Sequence, residues 1–417
     1  MRIKLYELKK VIKSPVVIGL IAIFIAFNIF IIFSNTHLTS ELKILNKIVD
    51  KFGYKVNDKM MDDFGAYYNE QLKKLNSITS GKTSKTYESA AMLLSDYKQV
   101  DIYKKEELEF FNEVRVIENY YYTAKDIDKN YKNIDIVQIG QSGITMCRLT
   151  GKAAATVRTQ YSKLSKRFDK LKENGEYKNL FFIGKAYKMH TLLFKTLFRA
   201  FIYEIMILVV LITGYLTNYE FENKTQSVVY ATKRGRKLDI DKFYVSIFSS
   251  ILVTTIIIAI SLVVYFSVVS YSGLWGVPIS SGFNWEYGPY ISWWNMSFAK
   301  YLFYCIGLVC LCEILFTCIT FIISSFIKNS YIVFFTFAII FGIALVIPGV
   351  MPANSNAVFL AYVTPFALIS NPFLWFMEKG PFATFKYYEV ITIAVWSVIL
   401  LTICGICIRR FKKQNLY

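Results

Sequence analysis

Histidine is nearly absent from this 417-residue chain, which carries only His37 and His190. That excludes an H-E-x-x-H zinc motif and a histidine-based metal site, and it leaves no basis for a Ser-His-Asp triad. No G-x-S-x-G is present either. A phosphate-cradling G-x-x-x-x-G-K-[ST] loop is also missing. Gly81-Lys82-Thr83 supplies its last three positions, but Asn76 stands where the first glycine belongs, and Gly151-Lys152-Ala153 fails at its end. The chain is therefore expected neither to hydrolyse ATP itself nor to be an enzyme. Its seven cysteines form no disulfide framework: Cys305, Cys310, Cys312, Cys318, Cys404 and Cys407 lie in apolar sequence, and Cys147 stands alone. The C-x-x-C spacing of Cys404 and Cys407 reads as small apolar packing.

What the chain has in quantity is apolar sequence, gathered in six runs at about 15–33, 194–216, 245–271, 301–326, 331–351 and 390–408. Each is near or above the roughly 18–20 residues a helix needs to cross about 30 Å of hydrocarbon. Composition agrees: 54% of residues are hydrophobic and 19% charged, so charge is segregated into the connections. The fold class expected is an all-α membrane protein with six transmembrane helices. The first run is longer than a signal-peptide core, and Ser34-Asn35-Thr36-His37 lacks an A-x-A cleavage pattern, so it is expected to remain as the first helix.

The formal charge of +18 is placed for topology rather than for nucleic acid. Lysine and arginine gather at the N-terminus (Arg2, Lys4, Lys9, Lys10, Lys13), after the second run (Lys224, Lys233, Arg234, Arg236, Lys237, Lys242) and in the tail (Arg409, Arg410, Lys412, Lys413). The connection 272–300 is nearly uncharged. By the positive-inside rule both termini are cytoplasmic and residues 34–193 lie outside. The single external cysteine suits a protein that does without disulfides, and the Lys-, Ile- and Asn-rich usage points to the cell membrane of a Gram-positive bacterium.

Residues 1–14 are expected to form an interfacial helix, with Met1, Leu5, Leu8 and Ile12 on one face and Arg2, Lys9 and Lys13 on the other. The insert 34–193 reads as predominantly helical, with breaks at Asn57-Asp58, Ser80-Gly81 and Gly140–Gly143. Its tyrosines (Tyr67, Tyr68, Tyr87, Tyr120, Tyr121, Tyr122) form either a contact surface or packing between helices. Residues 352–385, with Pro365, Pro372 and Pro381, read as a re-entrant or interfacial outer segment. Trp275, Trp285, Trp293, Trp294, Tyr287 and Tyr290 read as an aromatic belt at the headgroups. Charges inside spans are costly and usually have a reason. Glu313 faces either a translocation path or subunit interface, or finds a hydroxyl or a proton. Glu204 has the same functional reading, or pairs with Arg199.

The stretch after the second run is the most specific. Glu222 is followed by Thr225, a short amphipathic stretch, then Thr232, Arg236 and Lys242 leading into the third run. In this order of residues the chain resembles the ABC-2 type permeases, the membrane subunits of a class of ATP-driven exporters. Asn223-Lys224 stands where that family often has Arg-Gly. The basic N-terminal helix, the turn Ser324–Asn329, the proline-bearing segment before the last run and the Arg-Arg-Phe-Lys-Lys ending extend the resemblance over the membrane part. One branch of the family also carries a large extracellular domain between its first two helices.

The resemblance implies an organisation: 1–14 interfacial helix, 15–33 first span, 34–193 extracellular helical domain, 194–408 permease core with a coupling segment at 217–244, and 409–417 basic tail. It implies that Glu220, Glu222, Thr225, Thr232 and Arg236 couple to a separate ABC ATPase subunit, which holds ATP and magnesium, this chain holding no cofactor. The two glutamates would pair with basic residues of the partner's groove or with Arg234 and Arg236. It implies a second permease subunit, identical or homologous, and export of an amphipathic peptide such as a bacteriocin or of a lipophilic drug. Two other classes stay open. One is a membrane-anchored peptide sensor or immunity protein, against which the tail of about nine residues counts as far as signalling goes. The other is an ion-coupled carrier using Glu313, against which the lack of visible internal repeats counts.

Overall fold

Short polar caps and long apolar runs alternate along the chain, and in its computed structural model the helices start and stop where those caps stand. The structure describes residues 2–96, 102–232, 234–285, 288–378 and 380–413, with Arg2 and Arg236 by backbone alone. Helix α1 (Arg2–Ile12) turns at Ser14, whose Oγ accepts from Val17 N, and Pro15 presets the first turn of α2 (Pro15–Ser34). The insert holds α3 (Leu42–Phe52), α4 (Asp58–Thr83), α5 (Ala90–Ser95), α6 (Lys105–Lys132), α7 (Ile136–Met146) and α8 (Gly151–Glu173). Then come α9 (Gly184–Glu222), α10 (Gln226–Ala231), α11 (Leu238–Val268), α12 (Phe298–Phe326) and α13 (Ser330–Val350). Two short helices, α14 (Ala357–Tyr362) and α15 (Pro365–Ile369), precede α16 (Tyr388–Lys413).

Helices α2, α9, α11, α12, α13 and α16 are each long and apolar enough to cross a membrane, and they coincide with the six runs. The chain thus has the helices of a multi-pass membrane protein. Helix α9 starts at Gly184, not near 194, because a π-helical turn at Leu192–Leu197 joins the largely polar helical stretch Gly184–Thr191 to the apolar run. No break therefore separates insert from span at that point.

Helices α9, α11 and α12 pack against one another. The apolar windows of α9 and α12 are 72% and 67% buried, while those of α2, α13 and α16 are 17%, 17% and 22% buried. The first two are the centre of the bundle; the last three present apolar faces outward, where lipid or another subunit would cover them.

Within the insert, Asn57 caps α4 by accepting from Met60 N at 2.9 Å, so the expected break there exists. The break expected at Ser80-Gly81 falls instead at Ser84, which adopts φ 54 after α4 has run on to Thr83. Gly140 and Gly143 do not break α7; they let it pack closely. A Cβ on Gly140 would stand 2.4 Å from the Tyr161 ring, and one on Gly143 2.7 Å from Pro381. The tyrosines pack between helices: Tyr120 is buried, and Tyr68 stacks on Tyr121 with ring centroids 5.4 Å apart. Tyr68 also donates to Glu118 at 3.0 Å, satisfying a buried carboxylate.

The insert is not tethered by its ends alone. Thr150 N and Lys152 N donate to Ala353 O and Asn354 O, both at 3.1 Å, and Tyr161 OH bonds Glu378. Ser281 Oγ donates to Asn179 O at 2.6 Å. Insert, 272–300 connection and 352–385 segment thus form one packed layer at that end of the bundle. Of the expected aromatic belt, Trp293 departs because it is buried, while Trp275 and Trp285 are exposed, Trp285 also meeting Tyr131 of the insert edge to face. Tyr287 lies outside the described residues. The short helices α14 and α15 lie against the spans, with Phe366 stacked on Phe316 at 5.5 Å and Trp396 Nε1 donating to Val363 O at 2.8 Å.

Candidate functional site

At the other end of the bundle the charged residues of α1, α9 and α11 meet inside the protein. Glu220, in the last turn of α9, is 3% exposed and Lys242, in the second turn of α11, is fully buried. The Lys242 ammonium bonds Glu220 Oε2 and also donates to Thr217 O at 3.1 Å. The other Glu220 oxygen accepts from Lys10 Nζ at 3.0 Å, and Lys10 is held by Glu7 at 2.8 Å. Burial pulls the Lys10 ammonium down, but its hydrogen bonds to Glu7 and Glu220 outweigh that and hold it above its ordinary value. One carboxylate thereby joins three helices. Asp239 and Asp241 sit in the first turn of α11, where the helix dipole favours them. Arg234 reaches Asp241 at 3.2 Å.

These bonds redistribute the expected roles. Glu220 is not on the surface, so it is committed to Lys242 and Lys10 and not to a partner or to Arg234. Glu222 is exposed, and its Oε1 accepts from Ser330 N at 2.6 Å, fastening α9 to the start of α13. Thr225 N donates to Glu220 O at 2.8 Å and closes the turn between α9 and α10. Thr232 Oγ1 donates to Val229 O at 2.8 Å and accepts from Gly235 N at 3.1 Å, which folds the chain back under α10. Arg236 is placed in a 3-10 turn just beyond it, its side chain outside the description.

Sequence reasoning missed the anchor of α10. Tyr230 is 3% exposed, with its ring 5.7 Å from Phe221 and 5.1 Å from Phe411 of α16. Leu238 and Ile3 complete this small cluster. Val228, two residues earlier and on the opposite face, is 72% exposed. The aromatic residues at 221, 230 and 411 were a readable signal only once their ends met. Missed too was the buried face of α1. Leu5 and Ile12 point outward as an interfacial face would, but Glu7 and Val11 face the bundle.

The two intramembrane acids lie elsewhere. Glu204 accepts from Asn28 Nδ2 of α2 at 2.8 Å and not from Arg199, which is five residues away and on another face. Glu313 is fully buried, and neither of its oxygens has a hydrogen-bond partner among the described residues. Thr317, Thr320 and Ser324 follow it along one face of α12, and buried Ser246, Ser250, Thr254 and Ser261 line α11. Small polar residues let membrane helices approach closely. Because an unpaired buried polar group costs about 1–3 kcal/mol, Glu313→Met is expected to hold or raise the thermal midpoint of the purified protein. A fall of several degrees would show that the carboxyl has a partner holding the seam together.

Comparison with family models, with curated proteins and with solved structures returns no match to this chain.

Proposed function

We propose that this chain is the permease subunit of an ATP-driven exporter of the ABC-2 type, located in the cell membrane with both termini cytoplasmic. The observation that carries the reading is α10: a short helix beside Glu222 and Thr225, exposed at Val228, and tied through Tyr230 and Glu220 to α1, α9, α11 and α16. A helix presented outward on one side and locked to several spans on the other is what helix-in-groove docking to an ATPase subunit requires. The lock makes a push on α10 move the spans as a body. A further detail supports the reading. Lys224 adopts φ 55, in the left-handed region that glycine enters without strain. It occupies the position where the ABC-2 pattern has glycine.

ATP and magnesium belong to the separate ATPase subunit. A second permease subunit, identical or homologous, would cover the outward faces of α2, α13 or α16. The packed insert would stand outside, above a path for an amphipathic peptide or a lipophilic drug. The buried Glu313 favours one other reading, an ion-coupled carrier in which that carboxyl takes the coupling proton.

Charge reversal at Glu222 is a compromised test, since it also removes the acceptor of Ser330 N at the start of α13. Val228→Glu is cleaner, because the side chain touches solvent and leaves the anchor intact. It is expected to lower partner-stimulated ATPase activity at least about tenfold, a loss equivalent to roughly 1.4 kcal/mol of docking, with membrane assembly unchanged. Full stimulation in that variant would remove α10 from the interface.

A further inference from the structure

The opening between α1, α2, α9 and α13 is graded from apolar to basic. It has a volume of about 650 Å³ and is open on one side, so it can take a lipid headgroup and the upper part of its chains, the rest of the chains lying outside. Leu211, Tyr215, Tyr219 and Glu222 recur every three or four residues along one stripe of α9, covering about 16 Å of helix. Leu211 of α9 and Val16 and Val17 of α2 supply the apolar lining of the opening. Tyrosines occupy the middle, and Lys9, Lys10 and Lys13 form the rim. Lys10 is already bound to Glu7 and Glu220. Lys9 and Lys13 are exposed and have no acidic partner among the described residues. Among the described residues lining the opening Glu222 is the one carboxylate; it accepts from Ser330 N and offsets one of the two free lysine charges. Beside it, Ser330 Oγ is buried without a hydrogen-bond partner among the described residues. The rim therefore keeps an excess of positive charge and a donor hydroxyl.

If the six helices cross a bilayer, this gradient runs along the membrane normal, from acyl depth at Leu211 through the tyrosine level to the headgroups at Lys9 and Lys13. We propose that the cavity is a binding site for one anionic phospholipid, its phosphate held by Lys9, Lys13 and Ser330 and its chains lying on Val16, Val17 and Leu211. The lipid would bridge α1 to α13 on the side that the buried Glu220 cluster does not reach. The inference rests on the membrane reading, but not on ATP or on any partner.

The test is native mass spectrometry of the full chain in detergent. It is titrated with phosphatidylglycerol, with phosphatidylcholine of the same chains and with inorganic phosphate. Phosphatidylglycerol is expected to bind more tightly than phosphatidylcholine. Lys9→Gln and Lys13→Gln should each weaken it about fivefold, and together about 30-fold. The control pair Lys412→Gln with Lys413→Gln should retain it. Equal binding of the two lipids would overturn the site, as would an equal loss in the control pair. Displacement of phosphatidylglycerol by millimolar phosphate would assign the rim to a free anion and overturn the lipid. None of these outcomes touches the exporter proposal, which is read from ATPase stimulation.

Discussion

Glu220→Gln is expected to be the most damaging single substitution at the base of the bundle, costing about 3–5 kcal/mol of stability. It leaves the Lys242 ammonium, fully buried, without a carboxylate and with neutral acceptors alone, the Thr217 carbonyl and the new amide oxygen. It also takes one of two carboxylates from Lys10. Lys242→Met should cost nearly as much, because Glu220 then keeps Lys10 but loses its closest cation. The double variant Glu220→Gln with Lys242→Met should be markedly more stable than either single one, since it removes both uncompensated charges together. Thermal denaturation of the four proteins in one detergent, read as a double-mutant cycle, measures this. Additive losses would show that the two side chains do not interact, and would take away the lock between α9 and α11.

Gly235→Ala is expected to disconnect α10 while leaving the spans assembled. A Cβ at 235 would lie 2.3 Å from Val229 O and 2.6 Å from Tyr230 Cα. Both are backbone atoms of the short helix, so no rotamer change relieves the contact, and overpacking of this kind typically costs about 1–3 kcal/mol. The strain falls on α10, whose own six residues cannot hold a helix without the Tyr230 anchor. The expected result is at least about tenfold lower partner-stimulated ATPase activity, with little change in the thermal midpoint of the whole protein. Accessibility of residues 226–237 to limited proteolysis, with Tyr230 left in place, reports the same event, rising when the anchor is released. Unchanged accessibility and stimulation would mean that the close approach at Gly235 is not what seats α10.

The spans were legible because each is a run of apolar residues at the length a bilayer dictates, and no tertiary detail enters that argument. The break at Asn57-Asp58 was similarly local. The breaks expected at Gly140 and Gly143 failed because glycine has two uses, and which one applies depends on whether Tyr161 or Pro381 lies across from it. Of the candidate site, the segment carrying Glu222, Thr225 and Thr232 was singled out by its resemblance to the ABC-2 pattern. The burial of Glu220 could not be, because its partners lie 210 residues earlier and 22 residues later in the chain. Asn28 was readable as a polar residue in an apolar run, yet its pairing with Glu204 needed the packing of α2 on α9.

The proposed function requires that this chain work with a separate ATPase subunit. The direct measurement is purification of the tagged protein from its native membrane in mild detergent, with the co-purifying proteins identified and counted by mass spectrometry. The expected result is a P-loop ATPase subunit at one copy per copy of this chain, lost in the Val228→Glu variant. Intact, monodisperse protein that repeatedly comes without such a partner would contradict it, and would leave the ion-coupled carrier built on Glu313 as the reading to pursue.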